Sequence, residues 1–481
     1  MLKRIVLLFL VAAGVALVGA CSQSKGRTVL ETSRIADEAK PGTVLIQTTY
    51  VASVSVPAVT YHEANMNALL QDAQAALAQG MSEQEVVDAV LEEMLSNLET
   101  YLVPTNQMMT VDAQIDGVGS GFFVTPDGYI VTNAHVVTDD PESLKWALAE
   151  NGLTQFIQQD VQDFNEALGG GATERQIEML KQAAVNFYVK YMQIGDISRS
   201  VAVHLGANLP GITSTTKPVA AEVLTNAVGE PTPGKDVAII KIAQENCPTL
   251  RIGDDKALNV GDNLYPLGYP ADATFFPAFD ASSINEPSLT AGLVSSKKQM
   301  AGGWEVIQTD AAIRGGNSGG PVFNKYGEVV GLSTFTLLDE QGAQAEGAAF
   351  VIPMTVVKEF LQRANVTPAE SQTAKLWSEA LDLIQNERYS VAKEKLSQFE
   401  TLRPGVPAVA AKKQMAEKAI LDGKDKSGPS MVLVAGVAGA VVVVVVVVLF
   451  AMRGRGGKMP MPPAGGQPPQ IPPTENPQLP Q

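Results

Sequence analysis

The sequence predicts a mainly β body interrupted by two helical insertions. Three observations predict it: a β-branched run near the start of the body, short apolar segments broken by glycine and proline from Ser200 onward, and two blocks whose apolar residues recur at helical spacing. The β-branched run is "GTVLIQTTYVASVSV", Gly42 to Val56. Residues 63–102 then change period: "MSEQEVVDAVLEEMLSNLETYL" offers a capping box at Ser82 and Glu85, with apolar positions at Val86, Val90, Leu91, Leu95 and Leu98. Strand signals return at "GSGFFVTPDGYIVTNAHVV", where "PDG" supplies a hairpin turn. The second helical block covers 141–193, with Asp140 as cap, Pro141 in the first turn, and a second capping box at Thr173 and Gln176. The short strands that follow suit an all-β barrel or sandwich.

Bulk numbers set the outer limits. At 481 residues the chain is long enough for two or more domains. A net charge of −16 argues against a nucleic-acid binder, which needs a basic face. Two cysteines exclude a disulfide framework, and three scattered histidines offer no metal-ligand spacing. No phosphate-cradling loop is present either, so no cofactor is expected.

Both ends speak of membranes. Residues 1–21, "MLKRIVLLFLVAAGVALVGAC", have a basic start and an apolar run, the layout of a secretory signal. The closing "VGAC" resembles the bacterial lipobox, which makes Cys21 a candidate for lipidation; cleavage after Ala20 and retention as an anchor stay open. Residues 431–452 carry 22 uncharged residues, enough to cross a hydrocarbon core of about 30 Å. "RGRGGK" follows, and basic residues favour the cytoplasmic side. The tail, 453–481, is proline-rich. These features predict a single-pass protein of the bacterial cell membrane, with an extracytoplasmic body and a cytoplasmic tail.

The chemistry centres on "GGNSGGPVF", Gly315 to Phe323. A serine hydroxyl is a weak nucleophile unless a base takes its proton, and that base needs an orienting acceptor. Histidine suits the base role at neutral pH. His62 opens a helical block and His204 lies within a strand, whereas His135 ends a strand in "IVTNAHVV". Asp236, in "GKDVAIIKI", opens an apolar strand that would bury its carboxylate.

In order, "GSGFFVTPDGYIVTNAHVV", "KDVAIIKI" and "QTDAAIRGGNSGGPVFN" resemble the three catalytic segments of chymotrypsin-fold serine proteases of the HtrA/Deg type. The resemblance covers a protease domain over 30–365, with 63–102 and 141–193 as insertions, and implies a chymotrypsin-like double β-barrel of two six-stranded barrels. It implies His135 as general base, Asp236 as its orienting acid and Ser318 as nucleophile. Gly316, Asn317 and Ser318 form the implied oxyanion hole. Ala312 takes the place where trypsin-like enzymes carry a pocket carboxylate, so a small or medium aliphatic side chain is the expected specificity. Leu332, Ser333 and Thr334 are the expected pocket wall.

The chain also departs from the family. "RGGNSGG" replaces the usual "NPGNSGG", placing Arg314 on the loop, and no PDZ domain is visible in 365–430. Residues 371–422 instead resemble one tetratricopeptide unit, on Leu376, Ala380, Leu383, Tyr389, Ala392, Leu396 and Pro404. Such a segment packs on the protease, on a second copy or on a protein partner; a plain helical spacer is the alternative. The block at 141–193 is expected to cap or gate the cleft. The resulting expectation is a membrane-tethered endopeptidase acting on protein or peptide substrates in envelope quality control or regulated proteolysis. The alternative is an inert protease-fold adaptor that binds proteins at the membrane.

Overall fold

From Thr43 to Tyr61 the chain runs as one 19-residue strand, β1, longer than the β-branched run that predicts it. In the computed structural model, which describes residues 28–205, 218–274, 278, 286–338 and 344–428, β1 pairs antiparallel with β2 (Leu102–Phe123). The register runs from Thr43 opposite Phe122 to Tyr61 opposite Leu102. The near half of this ribbon joins β3 (Tyr129–Thr132), β5 (Ser198–His204), β6 (Val219–Val228) and β7 (Ala238–Ile242) in the order β2-β3-β7-β6-β5-β1. Pairing of β2 with β1 closes this ring into a six-stranded barrel, and β4 (Gln193–Ile194) adds to β1 further out. Alternate residues point inward, so Val44, Ile46, Phe123, Ile130, Val203 and Ile240 fill it.

A second sheet repeats the construction. It uses β8 (Asn263–Gly268), β9 (Ser288–Leu289), β10 (Gly292–Gln299), β11 (Glu305–Thr309), β12 (Pro321–Phe323), β13 (Val329–Leu338) and β14 (Gln344–Pro353). Strands β10-β11-β14-β13-β12-β8 form the ring, which the β10–β8 pairing closes. Leu264, Val294, Ile307, Val322, Val330 and Val351 fill it. A third apolar cluster lies between the barrels, where Phe122, Val131 and Ile239 of the first share a core with Phe323, Leu332 and Ile352 of the second. The β-barrel alternative is therefore the one adopted, and the sandwich is not.

The helices follow in chain order: α1 (Thr32–Ala39), α2 (Glu63–Ala78), α3 (Glu83–Ser96), α4 (Leu98–Tyr101), α5 (Ala134–Val137), α6 (Pro141–Ala167), α7 (Glu174–Tyr191), α8 (Ala271–Thr274) and α9 (Met354–Arg363). Ser82 and Glu85 form a reciprocal capping box on α3, and Thr173 and Gln176 do so on α7. Asp140 caps α6 by accepting the Ser143 N–H, with Pro141 in the first turn. Helices α6 and α7 bury Leu148, Leu153, Phe156, Phe187 and Tyr188 against Ala52, Val54 and Val56 of the outer ribbon. The two insertions also meet: Arg175 pairs with Glu92 at 2.6 Å and Lys190 with Glu99 at 2.6 Å. Exposed pairs of this kind contribute about 0–1 kcal/mol, so apolar burial carries the lobe.

Residues 371–422 fold as α10 (Gln372–Gln385), α11 (Tyr389–Leu402) and α12 (Pro407–Leu421) around Leu376, Trp377, Ala380, Leu396 and Phe399. Of the three expected places for this segment, it takes the first and packs on the body carrying the barrels. The Trp377 indole N–H donates to the Asp37 carbonyl at 2.8 Å, and Lys412 pairs with the Asp37 carboxylate at 2.5 Å. Barrels and helices all belong to the first of two units, which ends at Asp425. Cys247 is buried and unpaired, and burial pushes its thiol up to about 11. Among the described residues no helix is long and apolar enough to cross a membrane. The signal-like segment with Cys21, the run at 431–452 and the tail at 453–481 lie outside the described residues.

Candidate active site

Strand β3 delivers His135 on the single turn α5, directly beyond Asn133. Asp236 lies just before β7, which pairs with β3 from Thr132 opposite Ala238. That register places the two side by side. The Asp236 carboxylate accepts the His135 backbone N–H at 2.9 Å and lies 2.6 Å from Nδ1 of the same residue. The Asn133 side chain donates to the Asp236 carbonyl at 2.6 Å, fixing the backbone as well. Asp236 is only 1% exposed, whereas the His135 side chain is 40% exposed. The acid is thus sealed behind the imidazole, and the imidazole meets solvent. A buried carboxylate against Nδ1 selects the tautomer that leaves Nε2 as the basic atom.

Ser318 approaches from the second barrel, on the loop between β11 and β12. Its hydroxyl donates to the Thr334 carbonyl at 3.2 Å. His135 and Ser318 line one pocket of about 350 Å³, together with Pro231, Thr232, Ile313, Arg314, Gly315 and Thr334 to Thr336. The structure therefore brings His135 and Ser318 to one cleft, with Asp236 behind the imidazole and the serine resting on Thr334. Thr334 has a second contact: its Oγ1 donates to Asp236 at 3.0 Å.

The glycines beside Ser318 have a geometric cause. Gly316 has φ +93°, and a Cβ there would lie 2.2 Å from the Tyr269 carbonyl oxygen. Only glycine fits on both counts. The Gly315 carbonyl accepts the Ala271 N–H at 2.7 Å, so the Gly316 N–H, anti to it across a trans peptide, points the other way. Among the described residues neither the Gly316 nor the Ser318 N–H has an acceptor within the chain. Asn317 differs from the other two predicted oxyanion residues, because its N–H is taken up by the Arg314 carbonyl at 3.0 Å. The cleft can therefore offer two backbone donors to a developing oxyanion.

Of the predicted pocket wall, Thr334 lines the pocket and the other two residues do not. Leu332 and Ser333 are fully buried in β13 and lie outside the lining of the pocket. They fall two and one residues short of Thr334, which lines it together with Phe335 and Thr336. Ala312 lines a neighbouring pocket of about 830 Å³ with Asp310, Ile313, Thr336 and Ala349. Arg314 borders both and pairs with Asp272 at 3.0 Å. No residue of 141–193 lines either pocket; that block rests on the outer ribbon instead. The other two histidines serve elsewhere: His62 accepts the Asn65 N–H at the start of α2, and His204 meets Gln47 at 3.1 Å. Burial holds His204 below the usual imidazole range. Among the described residues no cluster of histidine, cysteine, aspartate and glutamate could hold a metal ion.

Comparison with known proteins bears on this site. Residues 197–332 match the trypsin-like peptidase domain family. The chain is 27% identical over 267 residues to a probable periplasmic serine endoprotease, DegP-like, of Ectopseudomonas mendocina, covering 55% of this chain and 38% of that one. It is 33% identical over 138 residues to the serine protease Do-like HtrA of Lactobacillus helveticus, covering 27% of this chain and 32% of that one. The chain thus spans less than two fifths of the length of these curated relatives. A solved structure titled HtrA-type protease AlgW with decapeptide aligns at 16% identity and TM-score 0.35, over 70% of this chain and 68% of that one. That superposition is too loose to carry an argument. Together the sequence likenesses support a serine endopeptidase. The likeness is to the HtrA type.

Proposed function

We propose that the protein is a serine endopeptidase that cuts extracytoplasmic proteins or peptides through Ser318, His135 and Asp236. The observation that carries the reading is the buried Asp236 carboxylate 2.6 Å from His135 Nδ1, with Ser318 on the same pocket. For attack, the Ser318 side chain turns from the Thr334 carbonyl toward Nε2 of His135; such contacts commonly tighten only when substrate is bound. Nε2 takes the hydroxyl proton as Oγ bonds to the substrate carbonyl carbon. Asp236 stabilises the imidazolium without accepting its proton. The carbonyl oxygen, now negative, receives the N–H groups of Gly316 and Ser318. Collapse expels the amine with the proton from His135, and water then hydrolyses the acyl-enzyme by the same relay. With Ala312, Ile313 and Thr336 near the cleft, a small or medium aliphatic residue on the acyl side suits the site.

Attachment to a bacterial membrane belongs to the same proposal. It is supported by the uncharged run at 431–452 and the basic residues beyond it, with Cys21 as a possible lipid site. Three helices at 371–422, resembling a tetratricopeptide unit, are proposed to receive a protein partner on the surface they leave outward. The test is cleavage of an unfolded protein such as casein by the purified full chain. Wild type should cut it and Ser318→Ala should not; equal cutting by both would remove the proposal.

A further inference from the structure

Ser120 lies in the first barrel, on β2, yet all but one of its polar contacts reach the second barrel. Its side chain accepts the Tyr269 N–H at 2.9 Å and donates to the Gly316 carbonyl at 2.7 Å. Its backbone N–H donates to the Ser318 carbonyl at 2.8 Å. The exception is its own carbonyl, which accepts Thr132 Oγ1 at 2.8 Å within the first barrel. The residue is 0% exposed, so water cannot stand in for it.

We propose that Ser120 is a positioning residue for the oxyanion site, holding the Gly315–Ser318 loop from across the cleft. The proposal rests on the serine endopeptidase reading and deepens it. In a trans peptide the N–H points opposite the preceding carbonyl, so tying down carbonyls aims the N–H groups. The carbonyls of Gly315, Gly316, Asn317 and Ser318 are held by the N–H of Ala271, the Ser120 hydroxyl, the N–H of Gly320 and the N–H of Ser120. Ser120 supplies two of these four ties, on the Gly316–Asn317 peptide between the two donors and on the Ser318–Gly319 peptide just beyond them, while Ala271 and Gly320 tie the donors' own peptides. The Tyr269 N–H occupies a lone pair on its oxygen, which orients the hydroxyl proton toward Gly316. The tie falls on the peptide most able to turn over, because glycine tolerates either orientation at Gly316. Removing the hydroxyl orphans a buried carbonyl at Gly316 and a buried N–H at Tyr269, and the carbonyl is relieved if its peptide rotates. That peptide joins the Gly316 and Ser318 donors, so its rotation shifts one against the other. The rotation also breaks the Asn317 N–H bond to the Arg314 carbonyl, while His135 and Asp236 on the first barrel stay in place.

The experiment is steady-state kinetics of full-length S120A and S120C on a chromogenic peptide, with binding of a peptide boronic acid that forms a tetrahedral adduct. Losing a whole oxyanion donor costs about 10²–10³ in rate, so a loosened one should cost about tenfold to a hundredfold in kcat for S120A. KM should stay within about threefold, and the acidic limb of the pH profile should not move, because His135 is untouched. The boronic acid should lose affinity in parallel with kcat. S120C, which keeps a weak donor, should recover part of the loss. Wild-type kcat in S120A, or a loss confined to KM, overturns the proposal. Should S120A fail to fold, S120C decides: an intermediate kcat at unchanged KM supports the tie, and a wild-type kcat overturns it. An inactive wild-type chain would instead refute the endopeptidase reading itself.

Discussion

Replacing Thr334 with valine keeps the shape of the side chain and removes one donor to Asp236. The carboxylate accepts three hydrogen bonds: from the His135 backbone, from the His135 ring, and from Thr334 Oγ1 at 3.0 Å. Asp236 is 1% exposed, so no water replaces the lost donor. A hydrogen bond to a charged group contributes about 1.5–3 kcal/mol. Most of that is present in the free enzyme as well as in the transition state, so it should appear chiefly as lost stability. The share that reaches kcat is the part that fixes the carboxylate plane against Nδ1. A fall of about tenfold corresponds to about 1.4 kcal/mol and stays well short of the roughly 10⁴ expected when the acid itself is changed to the amide. The assay is kcat on a chromogenic peptide alongside the urea unfolding midpoint, with Thr334→Ser as the hydroxyl-retaining control. Lower stability and reduced kcat in the valine variant, both restored by serine, are expected. A valine variant with the wild-type midpoint and wild-type kcat would refute the reasoning.

Two further outcomes follow from the same geometry. Gly316→Ala should lower kcat by about 10²–10³, because the loop must move to clear the Tyr269 carbonyl oxygen 2.2 Å from the new Cβ; peptide kinetics check it. Burial lowers the pKa of His204 in the folded chain, so the unfolded chain binds the proton more readily. Its contribution to stability is present above the ordinary imidazole value of about 6.5 and is lost as pH falls through it toward the lowered folded value. His204→Gln should flatten the acid side of the unfolding midpoint against pH, measured by urea titration at several pH values.

What the sequence made legible was local chemistry. Both capping boxes, the hairpin at "PDG" and the segments around His135, Asp236 and Ser318 are short patterns whose physics is complete within a few residues. The outer half of the β1–β2 ribbon was not legible. Residues 103–117 mix polar and apolar side chains, and their alternating apolar set, Val111, Ala113 and Ile115, is covered by helices that come later in the chain. The pocket wall runs from Thr334 on to Phe335 and Thr336, where β13 carries a register shift that the local sequence does not mark. Ser120 stood in a quoted motif, yet nothing local marks a side chain whose partners lie about 150 and 200 residues away. The seating of the C-terminal helices on α1 is equally non-local. Trp377 is an apolar helix position in the sequence, and only folding shows the Asp37 carbonyl beside its indole.

The central claim is that Ser318 is a hydroxyl activated by His135 and Asp236. Reaction of the purified full-length chain with a fluorophosphonate, followed by peptide mass spectrometry, measures this without knowledge of the substrate. One adduct on the Ser318 peptide is predicted, absent in Ser318→Ala and formed far more slowly in His135→Ala. A wild-type chain that folds yet takes no adduct at Ser318, or labels equally fast without His135, would contradict the account.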